Sequence, residues 1–204
     1  MSVLDVKNLS VQYQTENGAS EIIKDISFKV EKGEIAGLVG ESGSGKSTAM
    51  LAVMGLLGER AVIRSDQITV GGEKPVPGKN VAMIFQDSLS CLNPSVKIGR
   101  QIRETVRARR KCSRKEAAAR AEELLDMVGI RNPAFRMGQY PFELSGGMRQ
   151  RVVLAIALAC EPELIIADEP TTALDALVQA QILLLFKRIV RETETSMLLV
   201  SHDM

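Results

Sequence analysis

The chain of 204 residues carries 26 Lys and Arg against 25 Asp and Glu, a formal net charge of +1, with 45% hydrophobic and 25% charged residues. That length supports one well-buried core and is short for two, and the balanced charge gives no global field to draw nucleic acid or a membrane, so partners must be recognised locally. Cys91, Cys112 and Cys160 are odd in number and lack C-x-x-C spacing, which argues against a disulfide framework or a structural zinc site and fits a reducing cytosol.

From the N-terminus, "MSVLDVKNLSVQY" shows no basic region followed by an apolar one, the pattern of a secretory signal. Alternation at Leu4, Val6, Leu9, Val11 and Tyr13, and again at Ile26, Phe28 and Val30, predicts half-buried antiparallel strands on either side of the turn-rich "QTENGAS". At Ile35 the pattern changes to a continuous apolar strand, "IAGLV", a glycine loop, and a helix from Lys46 to about Leu57. This order is that of a buried parallel sheet in an α/β protein. "GGEKPVPGKN" reads as a loop and "VAMIF" as another buried strand. In "SRKEAAARAEELLDMVG", Ser113 and Glu116 have capping-box spacing, Ala117, Ala121, Leu124, Leu125 and Val128 form an apolar stripe, and Gly129 sits where a helix ends. A second helix is expected from Ser145 through "MRQRVVLAIALAC" to Pro162, followed by the strand "LIIAD", the amphipathic helix "ALVQAQILLLFKRIVRE" and a last strand in "SMLLVSHDM". The expectation is one domain: an α/β core of residues 1–86 and 161–204, interrupted by a mostly helical insertion at 87–160. The longest apolar runs, such as "VVLAIALAC", fall far below the roughly 18 residues that span a bilayer.

"GESGSGKS", residues Gly40, Glu41, Ser42, Gly43, Ser44, Gly45, Lys46 and Ser47, fits G-x-x-x-x-G-K-[ST]. Glycines let several N–H groups converge on one anion, Lys46 adds a point charge for β and γ phosphates, and Ser47 offers a hydroxyl to Mg²⁺. The helix that starts at about Lys46, with Thr48 in its first turn, adds its positive end. A flexible Gly/Ser turn would explain the composition but not its place between a buried strand and a helix. The motif defines a nucleoside triphosphate site without choosing among kinases, GTPases and motor ATPases.

Asp168 ends the apolar strand "LIIAD", where an unpaired carboxylate is costly and a Mg²⁺ held through water would balance it. Glu169 follows, past the strand end, so the two acids can divide the labour: Asp168 supports the metal, and Glu169 orients and polarises the attacking water. His202, the only histidine, is on its own an ordinary surface or core residue. Its place after the last strand brings it to the edge where Gly40, Asp168 and Gln86 also fall if the strands are parallel. Gln86 is neutral and suited to a Mg²⁺ or a water.

"LSGGMRQRV", Leu144 to Val152, resembles the signature of ABC ATPases, and the other motifs stand in that family's order: the P-loop, Gln86 of the Q-loop, the signature, Walker B with Glu169, "ALD" ending at Asp175 as the D-loop, and His202 as the switch histidine. The resemblance implies a RecA-like P-loop NTPase core with an antiparallel β subdomain and an inserted helical subdomain. It also implies a composite site, with ATP between the P-loop of one subunit and Ser145, Gly146 and Gly147 of another. Tyr13 stands where the family has an adenine-stacking aromatic, although its alternation reads first as packing. "FQDSLSCLNPSVKIGRQIRE" and "QYPFELSGGMRQRVVLAIAL" are similar to ATPase subunits of oligopeptide, dipeptide and nickel importers. The implied partners are a second ATPase, two permease subunits and, indirectly, a substrate-binding protein, at the cytoplasmic face of a membrane. Met148 replaces the general family's glutamine, Ser88 replaces a common proline, and the family pattern runs on past His202, so truncation at the C-terminus is expected.

Residues Arg100 to Arg120 hold nine Lys or Arg and two Glu. They read first as a solvated helical face, second as a contact with a permease or an anionic lipid surface, and third as a nucleic-acid contact. A soluble ABC ATPase remodelling nucleic-acid or ribosomal complexes is the alternative class. Those carry two ATPase domains or a long inserted coiled coil, neither of which is visible, and no nucleic-acid partner is expected.

Overall fold

A computed structural model describes residues 1–15, 18–87, 90–172 and 174–202. Glu16 and Asn17 of the expected first turn, Ser88, and Ala173 of the D-loop lie outside them. The elements in chain order are β1 (Ser2–Thr15), β2 (Gly18–Glu31), β3 (Ile35–Val39), α1 (Lys46–Met54), β4 (Ala61–Arg64), β5 (Gln67–Val70), β6 (Val81–Ile84), α2 (Ile98–Arg109), α3 (Arg114–Met127), α4 (Pro133–Arg136), α5 (Gly146–Ala159), β7 (Leu164–Asp168), α6 (Ala176–Thr193) and β8 (Ser196–Ser201), with a 3-10 turn at Pro141–Glu143 before α5.

Two sheets result. β1 pairs antiparallel with β2 on one side and with β4 and β5 on the other, and β3, β8, β7 and β6 form a parallel sheet in that order. The alternation in the first thirty residues produced β1 and β2 as expected. β4 and β5 carried too short a pattern to stand out, and they form because β1 is long enough to offer its other edge.

The parallel sheet divides the interior. Leu164 and Ile166 of β7, with Leu198 and Val200 of β8, face a core shared with α1 and the antiparallel sheet, whereas Ile165, Ala167 and Met197 face one shared with α2, α3, α5 and α6. Strands buried on both faces must be apolar at every position, which is why "LIIA" shows no alternation. Among the described residues, α2, α3 and α5 have no separate interior: Ile102, Leu124 and Val153 share one cluster with Ile84 and Ile165.

Helix ends follow local chemistry. The Ser113 hydroxyl accepts the Glu116 N–H at 3.2 Å and the Glu116 carboxylate accepts the Ser113 N–H at 2.7 Å, a capping box. At the other end of α3, Gly129 at φ 75° lets its N–H reach the Asp126 carbonyl and that of Ile130 reach the Leu125 carbonyl, the paired hydrogen bonds of a Schellman turn. α1 stops at Met54, short of the expected Leu57, because Gly55 adopts φ 65° and turns its N–H back on the helix. Among the described residues no helix is long and apolar enough to cross a membrane.

Candidate functional site

Because β3, β6, β7 and β8 are parallel, their carboxyl ends lie on one edge, and every chain segment leaving that edge carries a candidate residue. β3 runs into Gly40–Gly45, β6 into Gln86, β7 ends on Asp168 with Glu169 next, and β8 ends one residue before His202. Register holds them level: Val39 pairs with Ser201, Asp168 with Val200, and Ile84 with Ala167.

The P-loop wraps around its own lysine. The Lys46 ammonium donates to the carbonyls of Gly40 at 2.6 Å and Glu41 at 2.7 Å and to the Ser44 hydroxyl at 3.3 Å. Gly43 at φ 81° and Gly45 at φ 93° take left-handed conformations that favour glycine. At Gly45 a Cβ would also stand 3.3 Å from the Ile22 carbonyl oxygen of β2, so the antiparallel sheet braces the loop. α1 opens on Gly45 with no side-chain cap and no acid in its first turn. Its leading N–H groups, with Ser47 exposed and Thr48 half-buried, therefore form a surface suited to an anion.

Glu169 is the hub. Its N–H extends the β8 ladder to the Val200 carbonyl at 2.9 Å, and its φ of 47° swings the side chain out of line with the strand. One carboxylate oxygen, Oε2, accepts the Gln86 amide at 2.7 Å and the Thr172 hydroxyl at 3.1 Å. The other, Oε1, lies 2.7 Å from Nδ1 of His202. This His202 contact, above all, holds the Glu169 carboxyl below its usual range; partial burial pushes the other way, and Thr172 and the positive charge of Lys46 reinforce the lowering. An ionised carboxylate only accepts, so Nδ1 carries a proton and donates. Among the described residues, three of about four lone-pair positions are thus filled, leaving one on Oε1.

The residues singled out from sequence separate into three groups. Gln86, Glu169 and His202 are joined directly, with Lys46 close enough to act on Glu169 electrostatically. Ser145 caps α5, its hydroxyl accepting the Met148 N–H at 3.4 Å, and Asp175 caps α6, accepting the Val178 N–H at 3.0 Å. Those two caps lie side by side: a Cβ on Gly147 would meet Val178 Cγ1 at 2.8 Å and one on Gly146 would meet Leu174 Cδ2 at 3.4 Å. Among the described residues no hydrogen bond or ion pair joins Ser145, Gly146, Gly147 or Asp175 to the P-loop. Tyr13, in β1 opposite Ala61, is partly buried against the core under α1, the packing role its alternation suggested. Thr172 went unrecognised from sequence; its only signal is its spacing from Glu169 across the Pro170 turn.

Fold and site together define a P-loop NTPase. Residues 23–172 match the family described as ABC transporter, and the chain belongs to that family. It is 44% identical over 213 residues to the oligopeptide transport ATP-binding protein OppD of Bacillus subtilis strain 168, covering 99% of this chain and 60% of that protein. It is 46% identical over 214 residues to the probable D,D-dipeptide transport ATP-binding protein DdpD of Escherichia coli K12, covering 99% of this chain and 65% of that protein. This chain therefore spans less than two thirds of the length of these relatives. Among solved structures, the ATP-binding cassette MJ0796, in a dimeric post-hydrolysis state bound to ADP and Pi, superimposes with a TM-score of 0.78 at 26% identity, covering 98% of this chain and 88% of that one.

Proposed function

We propose that the chain is the ATP-hydrolysing subunit of a peptide-class importer, which couples ATP binding and hydrolysis to uptake through membrane permease subunits. The observation that carries this reading is Glu169: a carboxylate within the electrostatic reach of Lys46, clamped by donors from the segment after β6, its own turn and the residue after β8, with one acceptor position left open among the described residues. That is the arrangement needed to orient a water toward a terminal phosphate, where catalysis is positioning and charge stabilisation rather than covalent chemistry.

In this reading Lys46 and the N–H groups of the loop and α1 hold the β and γ phosphates. Glu169 holds the attacking water by its free lone pair, Gln86 and His202 keep the carboxylate aimed, and Tyr13 lies against the base. The donor set fits Mg²⁺: the Ser47 hydroxyl, the Asp168 carboxylate and the Gln86 amide oxygen are all hard oxygen ligands, and Mg²⁺ takes few protein ligands beside phosphate and water. It would neutralise charge on the phosphates.

Ser145, Gly146 and Gly147, which among the described residues make no hydrogen bond or ion pair to the P-loop of their own chain, fit a second role in which the α5 N-terminus of one subunit meets the nucleotide of another, with Asp175 at the same junction. The dimeric state of the MJ0796 cassette supports that pairing. The partners are then a second ATPase subunit and two permeases, with a substrate-binding protein delivering cargo, and the place of work is the cytoplasmic face of a membrane. The relatives' oligopeptide and D,D-dipeptide names favour peptide over nickel as cargo.

In the assembled full-length transporter, Glu169→Gln should abolish steady-state hydrolysis while ATP stays bound and the ATPase dimer closed. Turnover at the unsubstituted rate in that variant would refute the role given to Glu169.

A further inference from the structure

A carboxylate turns easily about its last side-chain torsion, a broad and roughly two-fold potential, so the aim of Glu169 is set by its donors. Two of them come from elsewhere: Gln86 from the segment after β6 and His202 from the end of β8. Each holds Glu169 only while its own element keeps its place relative to β7. Thr172 differs because it rides on the turn that Glu169 begins. The Thr172 N–H closes that turn on the Glu169 carbonyl at 3.1 Å, and the Glu169 N–H is pinned to Val200 at 2.9 Å. Pro170, between them, has its φ fixed by its ring. The hydroxyl then returns to the carboxylate of the same residue at 3.1 Å, on the oxygen that also accepts from Gln86.

We propose that Thr172 is a positioning residue for hydrolysis, a strut that keeps Oε2 of Glu169 turned inward so that the open lone pair on Oε1 faces the attacking water, even when Gln86 or His202 moves away. This rests on the reading of Glu169 as the residue that polarises the water. The geometry supports a strut over simple packing. The hydroxyl has a single proton, and that proton goes to Glu169 rather than to a backbone carbonyl, the usual partner of a Thr in a turn. The left-handed Glu169 backbone also keeps the side chain close to its own turn.

The test uses the full-length protein in its assembled transporter, with Thr172→Val, which keeps shape and loses the donor, Thr172→Ser, which keeps the donor, and Glu169→Gln in parallel. Thermal unfolding of each variant checks folding, and Thr172→Ala replaces the valine variant should that one not fold. Loss of one hydrogen bond to a charged acceptor should lower kcat for ATP by about ten-fold in Thr172→Val, with KM held within about two-fold, and Thr172→Ser should recover most of the rate. An unchanged kcat in Thr172→Val beside an inactive Glu169→Gln overturns the strut and leaves Glu169 standing. Equal losses in Thr172→Val and Thr172→Ser, or a loss confined to KM, also overturn it. Full activity in Glu169→Gln removes both readings together.

Discussion

Gly147 sits in the first turn of α5, where an added Cβ would lie 2.8 Å from Cγ1 of Val178 in the first turn of α6. That approach is about 1 Å inside ordinary carbon–carbon contact. Val178 has little freedom to retreat, because a valine in a helix holds essentially one rotamer. Gly147→Ala should therefore force the two helix starts apart at the overpacking cost of about 1–3 kcal/mol, against which the better helix propensity of alanine returns at most about 1 kcal/mol. At the middle of that range the contact outweighs propensity by about 1 kcal/mol, which corresponds to roughly 2–4 °C in Tm for a chain of this size. Chemical denaturation of the single variants and of Gly147→Ala with Val178→Ala isolates the cause. In the Val178→Ala background the glycine substitution should be neutral or stabilising by up to about 1 kcal/mol, giving a coupling outside measurement error. An equal cost in both backgrounds, or none in either, would refute the close-contact argument. The double variant also separates packing from nucleotide contact: if it is stable in the assembled transporter yet inactive, Gly147 is required for more than fitting α5 against α6.

Two further outcomes follow from local chemistry. Removing the capping box by Ser113→Ala should cost about 0.5–2 kcal/mol, read by urea denaturation, because it leaves the Glu116 N–H without its side-chain acceptor. The acid dependence of stability should carry the mark of Glu169, whose folded pKa lies below its ordinary 4.5, chiefly through His202. A lowered carboxyl pKa contributes stability that is fully present above the unfolded value and is lost as pH falls through the folded one. The stability difference between the unsubstituted protein and Glu169→Gln should thus shrink as pH falls from 4.5 downward. A difference that grows with acid would contradict the assigned sign.

The elements most legible in the sequence are those whose causes are local. "GSGKS" dictates its loop because left-handed φ at Gly43 and Gly45 is written in residue type, and the Ser113–Glu116 box and Gly129 bracket α3 through neighbours a few residues apart. β7 and β8 were readable because burial on both faces demands unbroken apolar runs. β4 and β5 were not, since four-residue strands owe their existence to pairing with β1, a partner distant in sequence.

The same division runs through the site. Lys46, Asp168, Glu169, Gln86 and His202 could be named from motif and strand ends, because parallel strands bring all their carboxyl termini to one edge. The meeting of Gln86 and His202 at the Glu169 carboxylate could not. It depends on the register of β6, β7 and β8, on a left-handed Glu169, and on Thr172 turning its hydroxyl back, and hydrogen-bond partners up to 83 residues apart leave no local trace. Residue type settles which groups are available and which conformation each short segment prefers. Only packing of the two sheets and the helices decides which of those groups meet, because distance in space is set by the buried core and not by position along the chain.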